Sequence, residues 1–146
     1  MPELICDTTV VQYLHQVHLL HNLPALGSPV VLPEAVVVEL EQGLARGIDL
    51  PDLTALGWVT IRTASVRPPL SHIAELGPGE SEVLWLALER PTSIAVLDDA
   101  AARQQAIECG VRVTGILGLL VDAKRQGLIR AVSPVLDDLG SQRFRS

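Results

Sequence analysis

The feature that most restricts how this chain can fold is an alternation: short apolar runs, each giving way within a residue or two to a stretch with helical spacing. Leu4 to Cys6 is the first run, and Thr8 is a candidate cap for a helix that carries Val10, Leu14 and Val17 at helical intervals. Pro29 to Leu32 is the second, with Pro33 at a first-turn position before EAVVVELEQGLARG, which a glycine closes. WVTIRT, residues 58–63, alternates and is soon followed by a double proline, which predicts an edge strand. GPGESEVLWLALER then predicts a glycine-led helix, SIAVL a strand, DDAAARQQAIECG a helix, VRVTG a short strand and ILGLLVDAKRQGLI a helix ending at Gly127. A weaker helical piece follows over 134–140. Strands this short and apolar, alternating with helices of about 10–15 residues, predict βαβ units and an α/β fold whose parallel sheet is covered on both faces.

Composition sets the scale. The chain has 146 residues, 48% of them hydrophobic and 19% charged, which predicts a single ordered domain over 1–146 with a substantial core. The Pro/Gly clusters at 24–33, 67–69 and 77–79 are then loops within it. Cys6 and Cys109 stand in no paired-Cys or Cys/His spacing, so neither a disulfide framework nor a zinc site is expected, and a reducing compartment fits. No apolar run approaches the 18 or so residues of a membrane span, and the expectation is a soluble, cytoplasmic protein with no membrane partner. A net charge of −6 argues against a broad basic surface for nucleic acid. Arg103, Lys124, Arg125, Arg130 and the terminal RFRS could form a local basic rim, although solvated cations near helix ends explain them equally well.

Chemistry in open parallel sheets collects beyond the carboxyl ends of the strands. Asp7 follows the first strand directly, and Asp98 and Asp99 follow SIAVL, so these acids are candidates for one site. Projected at 100° per residue, Glu80 falls at the centre of a face carrying Val83, Leu84, Ala87 and Leu88, while Glu82 falls opposite, beside Glu89. By the same projection Glu39 lies between Ala35 and Val36 on an inward face, and Glu41 groups with Glu34 outside. Each acid alone has an ordinary explanation: a first-turn acid for Glu80, an N-cap for Asp7, one cap and one turn acid for Asp98 and Asp99. Together they do not, because carboxylates about 4 Å apart repel by about 4 kcal/mol at an effective dielectric of 20, so an empty cluster takes up protons or a cation. Hard oxygen donors without soft ones point to Mg²⁺ or Mn²⁺, which could hold a phosphate and activate water. Within the adjacent pair, Asp98 closes the strand and is the preferred site acid; Asp99 is the expected helix cap, with outer-shell contact through water.

The ordered set ICDTTV, PEAVVVEL, GPGESEVLWLAL, AVLDDAAARQQA and VTGILGLLVDAKRQGLI resembles the PIN-domain superfamily, over residues 4 to 139. It is most similar to small stand-alone prokaryotic members in a domain-of-unknown-function branch. The resemblance implies a three-layer α/β/α sandwich with a central parallel sheet and a metal-dependent endoribonuclease cutting single-stranded or structured RNA, the toxin of a toxin-antitoxin pair. It assigns catalytic roles to Asp7, Glu39 and Glu80, with Asp98 or Asp99 as the last acid, and Thr8 as the supporting hydroxyl residue. The partners it implies are an RNA substrate, a cognate antitoxin protein and a second copy of the chain in a homodimer, to which Trp85 and Leu86 on the outer side of the Glu80 helix could contribute. The alternative is a PIN-like module that binds nucleic acid or protein with little or no nuclease activity.

Two other patterns carry less. His15, His18 and His21 step by three around a helix without a general base of the HExxH kind, so surface and boundary histidines are the better reading than zinc. CDTTV also resembles the first motif of haloacid-dehalogenase-like phosphatases, but the second acid of that motif is replaced here by Thr9, which weakens a phosphoaspartyl reading.

Overall fold

Among the described residues, five short strands form one parallel sheet, and seven helices pack around it. In the computed structural model, which describes residues 1–71 and 73–145 (side chains of 141–145 excepted), they run in the order β1 (Leu4–Cys6), α1 (Thr8–Gln16), α2 (Leu23–Leu26), β2 (Val30–Pro33), α3 (Glu34–Ala45), β3 (Val59–Arg62), α4 (Pro78–Glu89), β4 (Ile94–Val96), α5 (Ala100–Glu108), β5 (Val113–Thr114), α6 (Ile116–Arg125) and α7 (Ser133–Arg145). The sheet order is β3-β2-β1-β4-β5. The three central strands are buried almost throughout, which is why they read as continuous apolar runs rather than alternating ones. β3 is an edge strand, as its alternation predicts, and leaves Ile61 exposed. This is a three-layer α/β/α arrangement with a parallel centre. Among the described residues no helix is long and apolar enough to cross a membrane.

The register places the strand ends side by side. Leu4, Ile5 and Cys6 of β1 lie opposite Ile94, Ala95 and Val96 of β4, and the Asp7 amide donates to the Val96 carbonyl at 3.2 Å. β1 leads leftward to β2 and β3, whereas β4 leads rightward to β5, so the gap between β1 and β4 is the switch point of the sheet.

Helix α4 departs from its projection. Glu82, expected outside, is buried: it accepts hydrogen bonds from the Ala35 amide (2.8 Å), the Ala64 amide (3.2 Å) and the Arg67 guanidinium (3.2 Å). Leu86, expected on the same exposed side, is fully buried, and Trp85 is half-buried with its indole N–H donating to the Pro68 carbonyl at 2.8 Å. Leu88, assigned to the inward face, is partly exposed instead. For Glu82 and Trp85 the cause is the irregular chain after β3. Residues 64–68 cross the outer side of α4, where Glu89 accepts the Ser65 and Val66 amides, so this helix has cover on two sides. Trp85 and Leu86 therefore serve packing within the chain and not an open apolar patch.

Candidate active site

Asp7 occupies the N-cap position of α1, one residue before Thr8, and makes no capping hydrogen bond with its side chain. Its carboxyl lies instead in a cavity of about 740 Å³ at the switch point. Thr8, Glu39, Glu80, Asp98 and Asp99 line the same cavity. The sheet supplies Asp7 and the aspartate pair, and the two helices α3 and α4, packed against each other, supply the glutamates. Six residues drawn from four parts of the sequence thus share one space.

Electrostatics mark Asp7 as the centre of the group. It is almost fully buried, and its carboxyl is pushed up to about 7, first by burial and then by the charges of Glu80, Glu39 and Asp99, with the Thr8 amide partly offsetting. Glu80 is also raised, by burial and by Asp99 and Glu39, while the Gly77 amide pulls the other way by donating to Glu80 Oε1 at 2.9 Å. That bond is the reach of a third-position glutamate back to the N-cap amide, so Glu80 serves the helix start and the cavity together. Thr8 Oγ1 donates to Glu39 Oε1 at 2.5 Å and fixes the fourth element of the set.

Within the pair Asp98 and Asp99, the cap falls where the sequence predicts it. Asp99 is the cap of α5, its Oδ2 accepting the Ala102 amide at 3.0 Å. Yet it is also the aspartate whose charge acts on Asp7 and Glu80. Asp98 lines the main cavity and, in addition, a smaller one of about 250 Å³ beside Ile116, Leu117, Leu136 and Leu139. Which of the two acts on Asp7 is set by how the chain leaves β4 beside β1, and a sequence does not display it.

One glycine shapes the site. A Cβ at Gly79 would fall 2.2 Å from Glu39 Oε1 and 3.2 Å from Asp7 Oδ1. Gly79 therefore lets the carboxylates approach the start of α4. The donors are all hard oxygens; Cys6, the nearest thiol in sequence, is buried in the core with its thiol pushed up to about 12 by burial and by Asp7. Among the described residues no three His, Cys, Asp or Glu side chains form a ready-made metal cage. The set is one of mutually repelling carboxylates with space between them, which suits a divalent cation drawn in by their charge.

Other candidates lie elsewhere. His15 Nε2 stands 3.0 Å from Asp49 Oδ1, and His18 and His21 are exposed, so the three do not converge. Arg103, Lys124, Arg125 and Arg130 do not line the cavity; Arg125 lies 3.9 Å from Asp122, and the side chains of the terminal RFRS fall outside the described residues. The cation that does line it is Arg46, at the end of α3, together with Gln12, Tyr13 and Gln42. Arg46 lies seven residues after Glu39, only about 20° away on a helical projection, so the projection that selects Glu39 also selects it.

Comparison with known proteins fits this architecture. A PIN-domain family model, DUF3368, matches residues 3–146. Among solved structures, a PilT N-terminus domain protein, SSO1118, from the hyperthermophilic archaeon Sulfolobus solfataricus P2 is similar with a TM-score of 0.61. It is 22% identical, and the match covers 83% of this chain and 92% of that one, a likeness of fold. No curated protein matches. With the family model spanning nearly every residue, the chain belongs to the PIN-domain family.

Proposed function

We propose that the chain is a Mg²⁺- or Mn²⁺-dependent endoribonuclease that hydrolyses RNA phosphodiester bonds, acting as the toxin of a toxin-antitoxin pair. PIN domains are generally nucleases, and the observation that carries the reading here is the coupled carboxylate set around Asp7 at the end of β1. Asp7, Glu80 and Asp99 would hold the ion, with Asp98 on the same wall. The bound ion would supply activation of water and neutralisation of phosphate charge. Thr8 keeps Glu39 in a fixed orientation facing the set, where its carboxylate can orient a water by hydrogen bonding. Buried Asp7 would have to be ionised to hold the ion, which would couple binding to pH.

Titration with Mn²⁺ followed by an RNA cleavage assay tests this. Asp7→Asn and Glu80→Gln are expected to weaken Mn²⁺ binding at least tenfold and to abolish cleavage. Cleavage by the wild-type chain that persists in EDTA would refute the metal-dependent reading. The toxin role is tested by induced expression, which should arrest growth for the wild type and not for Asp7→Asn; equal growth of the two strains removes that role.

A further inference from the structure

The cavity is larger than a metal centre needs, and its far half holds no acid. Past Glu39 and Thr9 it continues between α1 and α3 to a wall made by Ile48 and Leu50. Gly43 explains how that wall forms: a Cβ there would fall 2.4 Å from Leu50 Cδ1, so the chain leaving α3 folds back tightly across the helix. The fold-back is tied to α1, where His15 Nε2 lies 3.0 Å from Asp49 Oδ1 and Gln16 Nε2 donates to the Asp49 carbonyl at 3.2 Å. The far half is therefore a built recess with a fixed wall.

Its chemistry differs from that of the near half. Arg46 lines it as a cation with no ion-pair partner among the described residues. The α3 axis rises about 10 Å from Glu39 to Arg46, the reach of the next one or two phosphates along an extended strand. Tyr13, Ile48 and Leu50 give the recess apolar surface, and Gln12 and Gln42 give it amide groups able to meet a base edge. About 740 Å³ lies within the range of pockets that enclose small organic ligands, so a nucleotide has room beside an ion.

The geometry points to a nucleotide subsite in this recess, in which Arg46 holds the phosphate beyond the scissile one and Tyr13, Ile48 and Leu50 receive its unpaired base. This deepens the nuclease reading and rests on it for the identity of the strand. Bases of a duplex are stacked and paired away from such a recess, so the subsite takes an unpaired nucleotide, in keeping with the single-stranded RNA that the family resemblance implies.

The test uses a fluorescein-labelled single-stranded oligoribonucleotide, its duplex, and Mn²⁺ alone. Arg46→Ala is expected to lower single-strand affinity about tenfold and to reduce the slope of log K against log salt by about 0.7, the loss of one phosphate contact. Its KM should rise with kcat within about twofold of wild type, its Mn²⁺ affinity should be unchanged, and Arg46→Lys should recover most of the binding. Wild-type affinity and salt slope in Arg46→Ala, or equal affinity of the wild type for duplex and single strand, would overturn the subsite. The two readings fail separately. Binding that depends on Arg46 without Mn²⁺-dependent cleavage removes the nuclease and keeps the subsite, whereas Asp7-dependent cleavage with unaltered binding in Arg46→Ala does the reverse.

Discussion

Asp7 holds its proton more tightly in the folded chain than in the unfolded one, because burial and three neighbouring carboxylates disfavour its charge. Its carboxyl rises from 3.8 to about 7 on folding, so the folded state binds the extra proton between those values. In the metal-free protein this contribution to stability is present below about pH 4, declines as pH rises and is lost above about 7. At about 1.4 kcal/mol per unit the full penalty is of order 4 kcal/mol. Asp7→Asn should therefore stabilise the EDTA-treated protein by a few kcal/mol at pH 8 relative to wild type and by little at pH 4. Urea unfolding of the two chains at both values checks this, and a difference independent of pH contradicts it. Gly79 makes a second residue-scale expectation. Gly79→Ala should displace Glu39 Oε1 and press on Asp7 Oδ1, lowering Mn²⁺ affinity through Asp7 at least tenfold while costing only about 1–3 kcal/mol of stability. Calorimetry on a variant that remains folded measures it, and unchanged affinity would show that the close approach of Asp7 to the start of α4 does not matter to the ion.

At the scale of elements, α4 and α5 each carry an acid with a structural duty. Glu82 accepts two backbone amides from different parts of the chain, one at the start of α3 and one just after β3, and pairs with Arg67. Glu82→Ala leaves those buried donors without a partner and should cost about 3–5 kcal/mol in urea unfolding, with a smaller loss for Glu82→Gln. A loss below 1 kcal/mol would mean that water replaces the carboxylate freely. For α5, Asp99→Asn keeps an oxygen able to cap the Ala102 amide but removes the charge. Stability should hold within about 1 kcal/mol of wild type while Mn²⁺ affinity falls more than in Asp98→Asn. The opposite order of affinities would return the principal role to Asp98.

For the whole molecule, the folded chain gathers like charges that only a cation or protons can relieve, so ion binding and folding are linked. Mn²⁺ should raise the thermal midpoint, and by more at pH 8 than at pH 5, where Asp7 is largely protonated and competes. An equal rise at both pH values would place the ion away from Asp7.

The alternation of strands and helices, the parallel sheet and the residues that follow each strand were legible in the sequence, because these depend on local periodicity and on apolar runs such as LIC and IAV. It also marked Asp7, Glu39 and Glu80, since strand ends and helix faces follow from spacing alone. The rest follows from contacts between distant parts of the chain. That Glu82 is buried and Trp85 half-buried depends on residues 64–68 crossing α4, a long-range event that no projection of one helix contains. That Asp99 couples to Asp7 and Glu80 depends on how the chain leaves β4 beside β1. And that Arg46 shares a cavity with the acids depends on Leu50 folding back over Gly43, because a helix stripe becomes a site only when another part of the chain closes over it.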